Sequence, residues 1–169
     1  MFARVMTGDL LTQGDLIDDC PLVGLKLTST PLDLDHPPTK WWPARVIILT
    51  QACDLAQAKS SRVLVARVHD AQKLVDDGVL KGPTVRDQMR RHLVFGWYFL
   101  PAVTTPIALP ESLIDLRDVH SVPSEVLDQL VAGGKRVASL ASPYREHLAQ
   151  HFAVTYMRIA LPEPYPTQP

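Results

Sequence analysis

Arg45-Val46-Ile47-Ile48-Leu49-Thr50 runs directly into Gln51-Ala52-Cys53-Asp54. An apolar run this short, made of β-branched and aliphatic residues, is the pattern of a strand buried on both faces. It stops at groups that hydrogen-bond or react, and the mouth of such a strand is where sites are usually built. On its N-terminal side Trp41-Trp42-Pro43 leads into the strand. Thr28 to Lys40, rich in Pro, Thr, Ser and Asp and without periodicity, reads as a long exposed loop. Further back, Gly8 to Leu27, with a turn around Gly14, reads as a strand entering the sheet, broken or bulged at Pro21, which has no N–H for a ladder bond.

On the C-terminal side, Gln57 to Ser61 is a turn and Arg62 to Val68 a second apolar strand, so the two strands form a hairpin. Asp70 to Val79 switches to helical spacing, with Ala71, Leu74, Val75 and Val79 on one face. Gly82-Pro83 is expected to break that helix, and Thr84 to cap a second one through Met89 and Arg90. Val94 to Leu100 is an aromatic-rich strand ended by Pro101, and Ser112 to Val119 alternates as a half-exposed strand does. The C-terminal third is expected to be helical. Ser124 opens a helix stopped by Gly133-Gly134, and Ser142-Pro143 opens another that places Tyr144, Leu148, Phe152, Tyr156 and Ile159 on its core face until Leu161-Pro162.

These elements make one domain over residues 1–162 with a tail at 163–169. A chain of 169 residues is long enough to bury about 70% of its unfolded surface. Hydrophobic residues at 46% and charged ones at 21% exclude disorder and a coiled coil, and the 15 prolines call for many turns. No apolar run approaches the ~20 residues of a membrane helix, and Met1-Phe2-Ala3-Arg4 lacks the apolar core of a signal peptide. Two cysteines, Cys20 and Cys53, are too few for a disulfide framework and suit a reducing compartment. The expected location is the cytoplasm, away from membranes.

A net charge of -1 gives no bulk attraction to nucleic acid. Lys81, Arg86, Arg90, Arg91 and His92 nevertheless cluster, either as a solvated helix face or as an anion-binding footprint for RNA.

The opening Gly8-Asp9 or Gly14-Asp15, Arg45 directly before an apolar strand, the Val63 to Val68 strand, and Leu113-Ile114-Asp115-Leu116 with Val119 and Val122 before a terminal helix resemble the PemK/MazF group of SH3-like barrels. The resemblance implies a mainly β fold with α additions: an SH3-like β-barrel carrying an inserted helical segment and a C-terminal helix. It further implies a bacterial toxin-antitoxin or phage-defence setting, a homodimer, and metal-independent cleavage of single-stranded RNA without a cofactor. Arg45 matches the family's catalytic arginine, a group suited to pairing two phosphate oxygens. Ser61 is nearest to its threonine or serine, and Asp54 would help to position the ribose hydroxyl. Three departures shift the implied role toward binding a protein partner or RNA: no proline follows Arg45, Arg62 stands closest to the family's threonine, and the Asp70 to His92 insertion is large.

The remaining candidates carry two readings each. Gln51, Cys53 and Cys20 line a pocket with Arg45, or the cysteines are small buried hydrophobes and Asp54 accepts N–H bonds from its own loop. Zinc would need about four N or S ligands, and neither the cysteines nor the six scattered histidines have that spacing, so no metal site is expected. His147 and His151 share a helical face, but Leu148 stands where a zincin has its glutamate, which leaves helix-surface histidines. Trp41, Trp42, Trp97, Tyr98 and Phe99 serve a core, an interface or base stacking.

Overall fold

The computed structural model describes residues 1–3, 5, 8–26, 35–104 and 108–157. Seven strands form one antiparallel sheet: β1 (Phe2–Ala3), β2 (Asp15–Leu25), β3 (Thr39–Ile48), β4 (Arg62–Asp70), β5 (Trp97–Leu100), β6 (Ser112–Pro123) and β7 (Arg136–Leu140), in the spatial order β1-β7-β2-β3-β4-β6-β5. Five helices accompany it: α1 (Ala52–Ala56), α2 (Ala71–Asp76), α3 (Gly82–Asp87), α4 (Ser124–Ala132) and α5 (Tyr144–Tyr156). The expectation of a mainly β protein with helical additions holds. Among the described residues no ladder joins β1 to β5, so the sheet is open and not closed into a barrel.

The alternation of side chains along β3 and β4 explains why both faces are covered. Leu16, Ile47, Ala66, Val68 and Ile114 point to one face and meet Leu148 of α5. Ile17, Val46, Ile48, Val63 and Val65 point to the other and meet Leu127 of α4. A third cluster joins Leu74 of α2, Val85 of α3 and Met89 to Trp97, Phe99 and Leu113 at the β5 edge. Among the described residues no helix is long and apolar enough to cross a membrane.

Several sequence expectations shift in detail. Lys40, Trp41 and Trp42 belong to β3, which begins at Thr39; residues 27–34 of the expected loop lie outside the described residues. β2 is not broken at Pro21, because Pro21 faces Pro43 on β3. Two opposed prolines fit a pair whose N–H groups would point away from one another. The irregularity falls earlier, between Ile17 and Cys20. Gly82-Pro83 starts α3, with proline tolerated in a first turn, while α2 has already ended before Gly78. Neither Ser124 nor Ser142 caps a helix through its side chain; Pro123 and Pro143 hold those positions.

Thr84 likewise sits inside α3, whose N-cap is Lys81. The aromatic strand is confined to Trp97–Leu100, since Gly96 turns the chain at φ +84. The all-helical C-terminal third is corrected by β7, which lies between α4 and α5 and pairs with both β1 and β2. On α5 the buried residues are Leu148 and His151, whereas Tyr144 and Tyr156 are exposed. Ile159, Leu161-Pro162 and the tail lie outside the described residues.

Candidate functional site

Arg45 stands where β2 bulges. Ile17 pairs with Val46 and Cys20 with Ala44, so Asp18 and Asp19 both face Arg45. Asp19 takes φ 57, a left-handed conformation that aspartate tolerates better than most residues. The bulge turns Asp18 onto Arg45, whose Nε and Nη2 donate to the two carboxylate oxygens, the second at 2.8 Å. Such a fork is the strongest arrangement of a guanidinium and a carboxylate. It raises the arginine further above its usual range, mainly through the Asp18 hydrogen bond. Lys135 Nζ holds Asp19 at 2.6 Å.

A second pair lies deeper. Arg136 opens β7 and donates through Nη2 to Asp15 at 3.0 Å and through Nη1 to the Asp9 carbonyl at 2.9 Å. Asp15 is fully enclosed and also accepts from the Thr12 N–H at 2.8 Å. Burial nevertheless pushes its carboxyl up, outweighing Thr12, Ser139 and Arg136. Arg136 Nε is buried without a partner. Between the two arginines lies a cleft of about 390 Å³, and on the other side of Arg45 a notch of about 410 Å³ reaches Arg67, His69 and Lys73. The notch exists because β3 pairs with β4 only from Val46 to Ile48, leaving the rest of β3 held by β2 alone. That remainder is a two-stranded arm.

The strand mouth is less enclosed than its sequence suggests. Thr50 Oγ1 accepts the Leu64 N–H at 2.7 Å, and the chain then turns into the single turn and a half of α1. Gln51 and Cys53 are exposed, and Cys53 Sγ lies 3.6 Å from Gln51 Oε1 and 3.7 Å from Asp54 Oδ1. Asp54 binds Lys59 Nζ at 2.7 Å, which holds its carboxyl below the usual range; this cation takes the place of the expected loop N–H bonds. Cys20 is fully buried and pushed up to about 11 by burial, so it stays a thiol in the core. Cys20 and Cys53 are both free.

The pocket expected from Gln51, Cys53, Cys20 and Arg45 is therefore not assembled, because Cys20 pairs with Ala44 near Arg45 while α1 lies past the other end of β3. Ser61 and Asp54 are likewise apart from Arg45. Val46 pairs with Arg67, six positions from Ser61 along β4, a span of roughly 20 Å at about 3.3 Å per residue. The basic cluster is divided too. Arg86 pairs with Asp87, and Arg90 donates through Nη2 to both Glu111 carboxylate oxygens at 2.7 and 2.8 Å while lying over the Phe99 ring, whereas Lys81 and Arg91 are exposed.

One cluster escaped the sequence reading. His92, at φ 53, ends the 3-10 turn Met89–Arg91 and packs its ring 4.3 Å from Tyr98, 5.1 Å from His147 and 6.1 Å from His151. Tyr98 is fully buried, with its hydroxyl 3.1 Å from His147 Nδ1, and burial pushes it up to about 12. Burial, with His147 and His151 adding to it, lowers His92 to about 4. His92 Nδ1 and His151 Nε2 have no hydrogen-bond partner. The i, i+4 spacing of His147 and His151 was a signal for this site, but nothing in the sequence joined them to His92. Among the described residues no group of three His, Cys, Asp or Glu is arranged to hold a metal ion.

In comparisons with known proteins, no family model and no curated protein matches the chain.

Proposed function

We propose that the chain is a divergent PemK/MazF-like protein, its open sheet derived from an SH3-like barrel, that acts as a non-catalytic binding module in a bacterial toxin-antitoxin or phage-defence system. The observation that carries this reading is the state of Arg45. Its guanidinium is already matched by Asp18, the Ser61 hydroxyl that would help to complete a nuclease stands roughly 20 Å off along β4, and Asp54 sits on α1 paired to Lys59. A docking surface is offered instead by the arm. Val23 and Trp41 face each other across it, Leu25 and Pro43 share their side by alternation, and Val23, Leu25 and Trp41 are 62%, 60% and 67% exposed. Contiguous apolar residues left in water on a projecting arm favour a protein partner, a second copy of the chain among them.

The test is incubation of the protein and of Arg45→Ala with mixed-sequence single-stranded RNA in the presence of a chelator. Intact RNA with both proteins is the expected result. Cleavage by the native chain that disappears in Arg45→Ala would overturn the binding-module reading and establish the alternative, a metal-independent endoribonuclease.

A further inference from the structure

We propose that the cavity between the arm and the C-terminal end of β6 binds a small apolar carboxylate, an aliphatic or aromatic acid whose head group meets Arg62. The cavity holds about 450 Å³, within the roughly 300–1,000 Å³ of small-molecule sites. It exists because β2 pairs with β7 only over Asp15–Ile17, so the arm leaves that strand, and Trp42 sets its ring edge-on to His120 at 6.2 Å. Leu22 and Val23 of β2, Val122 and Pro123 of β6 and Val126 of α4 supply its apolar walls. Leu22 and Val122 are buried, whereas Val23 stays exposed. Such walls take up an apolar body and leave its head to the three polar lining residues, Arg62, His120 and Ser121.

The charge in this cavity is unmatched. Arg62 donates through Nε to Ser121 Oγ at 2.8 Å and through Nη2 to the Ser121 carbonyl, and neither partner is a carboxylate. Among the described residues Arg62 forms no ion pair, and no Asp or Glu lines the cavity. Asp118 is already held by His120 Nε2 at 2.8 Å and by Arg67 at 3.7 Å. Ser121 occupies the side of the guanidinium that carries Nε, which fixes its orientation and leaves Nη1 and the second hydrogen of Nη2 open at its end. Those two nitrogens form a fork that a carboxylate matches with two parallel bonds. Arg62 is exposed, so a ligand reaches this fork without entering the core. A phosphate dianion would be half neutralised by one arginine, and a cation would be repelled. Trp41 lies outside the lining, so the inference rests neither on docking across the arm nor on RNA cleavage.

Titration calorimetry and thermal unfolding with hexanoate, benzoate, acetate and hexanol at matched ionic strength test it. Saturable binding of hexanoate or benzoate is expected, about tenfold or more tighter than that of acetate or hexanol, which lack the body or the charge. A response to hexanoate alone assigns an aliphatic body, and one to benzoate alone an aromatic one. Arg62→Met, at an exposed position, removes the fork and should weaken binding about tenfold or more. Val23→Glu, also exposed, sets a competing carboxylate at the wall and should weaken it as well. Trp41→Ser, which alters the other face of the arm, should leave it unchanged. No saturable binding of either acid, equal affinity for acetate or hexanol, full affinity in either cavity variant, or loss of binding in Trp41→Ser would overturn the proposal.

Discussion

Around Arg136 the buried polar groups are charged and nearly all matched, whereas around His92 they are neutral and leave two ring nitrogens open. The first region lies where β2, β3 and β7 meet, the second where α5 covers β5. In the first, the β2–β7 pairing sets Asp15 opposite Ser139 and Ile17 opposite Arg136, so Asp15 and Arg136 lie diagonally across adjacent strands and meet at 3.0 Å. In the second, rings from three elements meet only through tertiary packing. The difference shows two ways of burying polar chemistry: pair the charges, or keep the groups uncharged.

The Arg136 region is broken most directly by Arg136→Met, which strands the Asp15 carboxyl in the core. Leaving one partner of a buried pair typically costs about 3–5 kcal/mol, and a urea titration should show a loss of that order. The double variant Asp15→Leu with Arg136→Met should recover most of it. If the single variant lost under about 1 kcal/mol, the pair would have to be solvated in the native state.

The second largest effect concerns pH and separates the regions by sign. His92 has a folded value of about 4 against an ordinary 6.5, so the unfolded chain binds a proton that the native state refuses. Stability is fully present above about 6.5 and is lost as pH falls through the folded value, with about 2 kcal/mol gone by pH 5. The groups facing His92 are Tyr98 from β5 and His147 and His151 from α5, and burial also lowers His151. Asp15 acts in the opposite sense. Its raised carboxyl contributes stability at low pH that is lost as pH rises through the folded value. Urea midpoints at pH 7 and 5 should fall for the native chain and flatten in His92→Asn, since asparagine tolerates φ 53. A native midpoint that does not move would exclude burial of His92 as the dominant electrostatic feature of this region.

A smaller effect is expected from Asp18→Asn. The Arg45–Asp18 side chains are 27% and 28% exposed, against 6% and 0% for Arg136 and Asp15. Water reaches the unpaired arginine, so the loss should stay at or below about 1 kcal/mol by urea titration. A cost equal to that of Arg136→Met would erase the distinction between the two pairs.

Strand identity was legible wherever a short apolar run was unbroken. Arg45 to Leu49 and Arg62 to Val68 are β-branched and aliphatic apart from their arginines and are buried on both faces of the sheet, and Asp70 heads a helix that its side chain does cap through the Lys73 N–H. β7 was not legible. Arg136-Val137-Ala138-Ser139-Leu140 is five residues long with two small ones, and its strand state depends on β1 and β2 lying on either side. The candidate site divides in the same way. Arg45 stands out by its place before an apolar run, but Asp18 reaches it only because a bulge and a left-handed Asp19 turn β2, which spacing does not reveal. His92, 55 positions before His147, shows why long-range clusters stay hidden: nothing local marks which rings will meet.

The smallest effect on stability belongs to Trp41→Ser, and it sharpens the contrast between what the sheet buries for itself and what it offers. Trp41 and Trp42 are neighbours in sequence on opposite faces of the arm. Trp42 packs into the cluster beneath α4 and sets its ring edge-on to His120 at 6.2 Å, while Trp41 faces water across from Val23. Replacing an exposed side chain away from caps and pairs changes stability by within about 0.5 kcal/mol, so the urea midpoint of Trp41→Ser should match the native one. The same substitution removes the largest apolar surface on that face of the arm. If the chain self-associates through the arm, sedimentation at rising concentration should show association in the native protein and a monomer in Trp41→Ser. Association that survives the substitution would move the contact off the arm, and a large loss of stability would mean that Trp41 is packed within its own fold.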